Sequence, residues 1–187
     1  MASASDVVFL DACVILDGLI NDPERNKYVE PILLDAEKGN IIIVACVLAI
    51  TEVYHLGQLN DSEAARTTID AFFNKEFVEV WHVDDKIARK AADFRRGTKL
   101  KTPDAIHLAT AVVRGAHYLI TRDGENKKRS SSKTILSLAN KFRDTIKIMT
   151  PKEYTDLLSS ELKQAELPLR VESELSNAEE DQEAGPA

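Results

Sequence analysis

The hydrophobic residues fall into short apolar runs that are separated by longer amphipathic stretches. Residues 7–10 (VVFL) and 41–44 (IIIV) are continuous apolar runs, which are typical of strands buried on both faces of a sheet. The alternating segment 77–83 and the runs 117–121 and 146–149 predict three further strands. Helical patterns between the strands predict helices over 12–20, 22–39, 47–56, 61–73, 85–96, 102–115, 134–142 and 151–163.

Several helix starts carry a capping residue followed by proline. Asp22 precedes one such proline, and Thr150 begins a capping box that ends at a glutamate three residues later. Thr102 and Pro103 predict an N-cap and a first helical residue, which places Asp104 at the second helical position. A carboxylate there complements the positive end of the helix, or it has a chemical role.

Strands that alternate with helices over short connections predict an α/β fold with a parallel sheet of about five strands and helices on both faces. We assign residues 1–165 to this domain. Residues 166–187 form an acidic tail with little apolar material, which we expect to be disordered or partner-dependent. In open parallel sheets, ligands bind beyond the carboxyl ends of the strands.

Composition places the chain among ordinary globular proteins, with 44% hydrophobic and 29% charged residues. Its apolar runs are shorter than the roughly 20 residues that span a bilayer, and the N-terminus has no basic segment typical of a signal peptide. Cys13 and Cys46 are too few for a disulfide framework. We therefore expect a cytoplasmic protein without a membrane partner.

Four acidic residues lie where the predicted fold places ligands. Asp11 ends the first strand, Asp123 follows the fourth, Asp104 opens the helix that leads into the fourth, and Glu52 lies on the helix after the second. Each has a structural alternative, as a cap or as an ordinary helix carboxylate. Together they are harder to explain structurally, because buried carboxylates repel one another unless a cation neutralises them. Oxygen ligands favour Mg²⁺ or Mn²⁺.

The segments "FLDACVI", "AITEVYHL", "TPDAIHLATA" and "LITRD" resemble, in order and spacing, the acidic motifs of the PIN-domain family of nucleases. The resemblance covers roughly residues 7 to 150. It implies a three-layer α/β/α fold and metal-dependent cleavage of RNA, as in VapC-type toxins or RNA-processing enzymes. By this resemblance Asp11, Glu52, Asp104 and Asp123 are the catalytic metal ligands. It also implies a homodimer and a protein inhibitor (antitoxin) as partners.

One segment departs from the family pattern. Gly124 and Glu125 follow the last aspartate, where many members carry an aromatic or apolar residue. This departure keeps open an alternative, a PIN-like scaffold that binds RNA or protein without cutting it. A phosphohydrolase with Asp11 as the nucleophile is disfavoured, because Cys13 stands where a second aspartate is needed.

Five further residues lie near the acidic motifs. Asp17 is interpreted as a solvated helix residue, and Cys13 as a small buried one. His107 shares a helix face with Asp104, and packing or a supporting hydrogen bond is favoured over metal ligation. Thr121 is predicted to contact substrate or a site carboxylate, and Arg122 to contact a substrate phosphate.

The net charge of −7 is concentrated in residues 161–187, which carry eight acidic and two basic side chains. The rest of the chain is close to neutral. It contains two basic clusters, within 95–101 and within 122–133, and phosphate binding needs a local patch of this kind. The second cluster supplies further predicted substrate contacts, Lys127, Lys128 and Arg129.

Overall fold

The computed structural model describes residues 5–20, 22–55, 62–125 and 133–160. Five strands form one parallel sheet in the order β3-β2-β1-β4-β5. The strands are β1 (Asp6–Leu10), β2 (Ile41–Cys46), β3 (Val78–Trp81), β4 (Tyr118–Ile120) and β5 (Lys147–Met149). The predicted α/β fold and its five parallel strands are confirmed.

Helices cover both faces of the sheet. Those before β3 are α1 (Ala12–Leu19), α2 (Pro23–Asn26), α3 (Glu30–Glu37), α4 (Val47–His55) and α5 (Glu63–Phe73). Those after it are α6 (Asp85–Gly97), α7 (Thr102–Val113), a 3₁₀ turn (Leu136–Leu138) and α8 (Ala139–Phe142), and residues 151–160 are also helical. No helix in these described ranges is long and apolar enough to cross a membrane.

The core consists of two apolar clusters, one on each face of the sheet. One contains side chains of α1, α3, α4 and α5 together with Tyr154, and the other contains side chains of α6, α7 and α8. The central strand contributes to both, with Val8 and Leu10 facing one cluster and Phe9 the other, all with 0% exposure. This alternation makes three layers, helix, sheet and helix.

The predicted helix 22–39 is instead two helices, α2 and α3. Pro31 lies in the first turn of α3, and it has no backbone N–H to continue a helix from α2. Val29 lies between the two helices and is 1% exposed, so the connection is anchored in the core. The boundary therefore follows from proline chemistry together with a core contact.

The predicted cap of α7 is also corrected. The N-cap is Lys101, whose carbonyl accepts the first helical hydrogen bond from the N–H of Ala105 at 3.0 Å. Thr102 is thus the first helical residue and makes no capping hydrogen bond. Asp104 consequently lies at the third helical position, one residue deeper than predicted.

The helix at 151–160 completes the domain beyond the last strand. Its predicted capping box is confirmed: the Thr150 N–H donates to the Glu153 carboxylate at 2.7 Å, and the Glu153 N–H donates to the Thr150 hydroxyl at 3.2 Å. Tyr154 is 1% exposed and packs edge-on against Tyr118 of β4, with 5.1 Å between ring centroids. The helix at 151–160 therefore contributes to the core, close to the predicted domain boundary at 165.

Replacing Tyr154 with alanine should lower the free energy of unfolding by about 3–5 kcal/mol, because a buried ring is removed from the core. Chemical denaturation measures the loss. The matched control is Tyr54→Ala, since Tyr54 is 38% exposed and should cost only about 1 kcal/mol. Equal losses in the two variants would show that the C-terminal helix is not part of the cooperative domain.

Candidate metal centre

The carboxyl ends of β1 and β4 lie side by side, and the first residues of the site follow them. Asp11 follows β1, and its backbone N–H donates to the carbonyl of Ile120 at 3.0 Å. Its side chain is also the N-cap of α1, with Oδ1 accepting from the N–H of Ala12 at 2.8 Å. At 7% exposure, the carboxylate is held at the edge of the core.

Thr121 holds the other oxygen of this carboxylate. Its hydroxyl donates to Oδ2 of Asp11 at 2.6 Å and accepts from the backbone N–H of Asp123 at 3.0 Å. Thr121 is 0% exposed. Of its two predicted contacts, the structure shows the one with a site carboxylate.

Glu52 reaches the site from α4 and meets His107 of α7. Nε2 of His107 lies 2.6 Å from Oε2 of Glu52 and 4.0 Å from Oδ1 of Asp11. His107 is 1% exposed, whereas the Glu52 side chain is 26% exposed. The imidazole therefore lies behind the carboxylates, on the core side of the site.

The carboxylates determine the charge state of His107. Burial is the largest single influence and by itself lowers the pKa of the imidazole. The hydrogen bond with Glu52 and the charges of Asp11, Glu52 and Asp104 outweigh burial and raise the pKa above its ordinary value. Nδ1 is buried and makes no hydrogen bond within the described residues.

Asp104 joins the site from the first turn of α7, three residues before His107 and on the same helix face. Burial, followed by the charges of Asp123 and Asp11, raises the pKa of Asp104 to about 6. Lys101 and His107 oppose the shift. Asp104 thus lies close enough to both aspartates for their charges to repel.

These groups can hold a divalent cation. Asp11, Glu52 and His107 each offer a ligand atom, and the three atoms lie within 4.8 Å of one another. Asp104 is coupled electrostatically to the same group. Carboxylate oxygens suit Mg²⁺ and Mn²⁺, and a cation would offset the repulsion that adds to burial in raising the pKa of Asp104.

Arg122 is engaged in ion pairs beside the site. Its Nη1 donates to Oδ2 of Asp17 at 2.5 Å, and its Nε donates to the Glu125 carboxylate at 2.9 Å. Asp17 is 4% exposed and also lies 3.7 Å from Arg25. The interpretation of Asp17 as a solvated residue is therefore wrong, because it anchors the loop that carries Asp123.

The remaining predicted substrate contacts, Lys127, Lys128 and Arg129, lie outside the described residues. Cys13 is close to the site, with Sγ 3.5 Å from Oδ2 of Asp11. Burial, followed by the charge of Asp11, raises the pKa of its thiol well above the ordinary value. Cys13 is therefore not an activated nucleophile.

Sequence reasoning undervalued two residues of this site. His107 was placed on the helix face of Asp104 with packing or a supporting hydrogen bond favoured, but its partner Glu52 could not be named from the sequence. Asp17 had only a weak signal, a carboxylate in an apolar helix, because its partner Arg122 lies more than 100 residues away along the chain. Such pairings need the tertiary fold.

The sequence was compared with protein-family profiles and with curated proteins. The PIN domain family profile matches residues 8–130, about two thirds of the chain. A comparison with curated proteins gives no significant match.

Solved structures share the fold at low sequence identity. One is VapC20 of Mycobacterium tuberculosis, a toxin that cleaves the sarcin-ricin loop, with a TM-score of 0.52 and 15% identity over 63% of this chain and 91% of that chain. Another is VapBC2 of Rickettsia felis bound to a promoter DNA fragment, with a TM-score of 0.53 and 15% identity over 77% and 98%. DNA-bound VapBC of Salmonella typhimurium gives a TM-score of 0.53 and 17% identity over 78% and 98%.

Replacing Asp104 with asparagine should stabilise the metal-free protein at neutral pH by about 1 kcal/mol. The folded-state pKa of about 6 lies above the usual value of about 3.9, so wild type loses stability as pH rises from about 4 to 6. The gain is smaller than this difference alone implies, because water screens the partly exposed carboxylate. Urea denaturation in EDTA across this pH range measures it.

The gain should become small near pH 4, where the carboxyl group is protonated in the folded chain and about half protonated in the unfolded chain. The control is Asp85→Asn, an exposed carboxylate in the first turn of α6. It should leave stability unchanged or lower it by a few tenths of a kcal/mol, through the lost interaction with the helix dipole. A large loss of stability in Asp104→Asn would instead make Asp104 a structural residue.

Proposed function

Because the chain belongs to the PIN-domain family, which is a family of nucleases, we propose that it is a metal-dependent ribonuclease that hydrolyses phosphodiester bonds. The observation that carries the proposal is the convergence of carboxylates at the end of β1. Ligand atoms of Asp11, Glu52 and His107 lie within 4.8 Å of one another, and burial, followed by the charges of Asp123 and Asp11, raises the pKa of Asp104. A fold gains nothing in stability from such repulsion, so a function in cation binding accounts for it.

We propose that Asp11, Glu52, Asp104 and Asp123 hold Mg²⁺ or Mn²⁺. When bound, such ions lower the pKa of a coordinated water and stabilise charge on the attacking and leaving oxygens of an in-line displacement. The chain's own groups hold the ligands in place. Thr121 and the Ala12 N–H fix both oxygens of Asp11.

His107 is a positioning residue in this mechanism. Its contact at 2.6 Å directs the Glu52 carboxylate toward Asp11, and its burial prevents it from turning to solvent. The ion pair of Arg122 with Asp17 does the same for the loop that carries Asp123. The Arg122 side chain is 32% exposed, and we propose that it also contacts a substrate phosphate.

We propose that the substrate is RNA and that the protein acts either as a toxin or as an RNA-processing enzyme. The likeness of the fold to a toxin that cleaves the sarcin-ricin loop supports RNA as the polymer. The VapBC structures support a protein inhibitor (antitoxin) as a partner, and a homodimer is a further proposal from family resemblance. We place the enzyme in the cytoplasm, with residues 1–165 as the nuclease domain and 166–187 as an acidic tail.

The assay of this proposal uses the purified full chain with a labelled RNA. Cleavage should occur with added Mn²⁺ or Mg²⁺, stop in EDTA and return when Mn²⁺ is restored in excess. Asp104→Asn should lose cleavage by about a hundredfold or more, because one ligand and its charge are removed. Asp85→Asn should cleave like wild type.

Three outcomes would contradict the proposal. Equal cleavage in EDTA would exclude the metal mechanism. Mn²⁺ binding by calorimetry without cleavage of any RNA tested would favour the alternative, a PIN-like scaffold that binds without cutting. Absence of Mn²⁺ binding would remove the basis for the metal centre itself.

Replacing His107 with asparagine should weaken Mn²⁺ binding by about tenfold to a hundredfold, since Glu52 loses the group that orients it. Calorimetry measures the affinity, and thermal unfolding checks that the variant is folded. His107→Gln provides a second variant of similar length. The matched control is His117→Asn, because His117 is exposed and lies before β4, at the opposite edge of the sheet. Unchanged affinity in both His107 variants would mean that the imidazole serves packing alone.

A further inference from the structure

A basic cleft of about 620 Å³ lies between the end of α6 and the segment that contains α8. Its charged lining consists of Arg96, Lys99, Lys133 and Lys141, and we call this surface the basic cleft. These residues come from parts of the chain more than 30 residues apart. The fold therefore gathers members of both basic clusters of the sequence and adds Lys141.

The loop before α7 has a rigid alternation of buried and exposed side chains. Thr98 is 8% exposed, and its hydroxyl donates to the carbonyl of Phe94 at 2.7 Å. Leu100 is 3% exposed and belongs to the core. Because these two residues are anchored, the exposed Lys99 and Lys101 are held on the outer side of the loop.

Only some of the positive side chains of the basic cleft have a partner within the described residues. Arg96 forms an ion pair with Asp93, and Nζ of Lys141 donates to the carbonyl of Gly97 at 2.9 Å. These two contacts complement the negative end of α6. Lys99 and Lys133 make no salt bridge within the described ranges, so their charges are available to an anion.

The basic cleft adjoins the carboxylate site through the same loop. Residues 98–101 lead directly into α7, whose first turn carries Asp104. The charge of Lys101 lowers the pKa of the Asp104 carboxyl, against the larger effect of burial, which raises it. The cleft and the carboxylate site are therefore joined by residues 98–101 and the first turn of α7.

We propose that the basic cleft binds the phosphate backbone of single-stranded RNA through Lys99 and Lys133, next to the carboxylate site. The choice of RNA rests on the proposed function, whereas phosphate binding follows from the cleft itself. Lysine ammonium groups contact phosphates as point charges without reading the base, so binding should be independent of sequence. Positive charge next to a carboxylate cluster attracts the polyanion that the carboxylates would otherwise repel.

The alternative occupant is the chain's own acidic segment within 166–187. Its carboxylates are also anions, but nothing in the described structure brings it to the cleft. The loop that forms the cleft leads to Asp104, and this continuity favours a polymer that also reaches the carboxylates. The two occupants give different results in the experiment below.

The experiment measures binding of a labelled single-stranded RNA of about a dozen nucleotides to the full chain by fluorescence anisotropy. EDTA is present throughout, and a gel verifies that the RNA stays intact. Salt is varied across roughly 50–200 mM. Lys99→Gln/Lys133→Gln should weaken binding about tenfold at the lowest salt and reduce the log–log salt slope by about 1.4, at about 0.7 for each lost phosphate contact.

The matched control is Lys38→Gln/Lys86→Gln, which removes the same charge from two exposed positions. Lys38 follows α3, and Lys86 lies on α6. Its salt slope should equal that of wild type. Equal effects of the two double variants would show that only overall charge matters, and no effect of either would show that RNA binds elsewhere. Each result overturns the proposal.

Tail neutralisation tests the other occupant within the full chain. If RNA binds only after Glu179→Gln/Glu180→Gln/Asp181→Asn, then the acidic tail occupies the cleft and the proposal for the native chain is wrong. A negative result for RNA binding in the cleft is distinguishable from a negative result for the proposed nuclease function. The binding assay contains no metal, and Mn²⁺ calorimetry of Lys99→Gln/Lys133→Gln should match wild type whatever the RNA result.

Discussion

Repulsion among carboxylates at one edge of the sheet is the constraint on which the rest of this site depends. Parallel strands end at the same edge, so the acidic residues that follow them are brought together by topology alone. Burial and, after it, the charges of Asp123 and Asp11 raise the pKa of Asp104 to about 6. The fold tolerates this cost because the apolar clusters on both faces of the sheet hold the strands in register.

The groups around the carboxylates limit their freedom and offset their negative charge only in part. Thr121 and the start of α1 hold Asp11, and His107 holds Glu52. These contacts are hydrogen bonds from neutral donors or from an imidazole whose charge depends on the same carboxylates. The site is therefore rigid but retains negative charge, which is the combination that a cation-binding site requires.

Opposite charges lie next to one another on this side of the molecule. The carboxylates can attract a divalent cation, and the basic cleft can attract phosphate, with the short loop before α7 between them. The strongly acidic composition of the whole chain conceals this arrangement, because the negative charge lies mainly in residues 161–187. Charge distribution, and not net charge, is therefore the relevant quantity for a nucleic-acid partner.

The sequence by itself determined the parallel α/β fold and the family, because buried strands and the residues that follow them leave a local pattern. Asp11 was singled out because it directly follows an apolar run, and Asp123 because it lies three residues after another. Only the tertiary structure decided the contact of His107 with Glu52, the burial of Asp17 against Arg122, and the meeting of the two basic clusters. These features join residues that are distant along the chain, and local periodicity carries no information about which distant side chains will pack together.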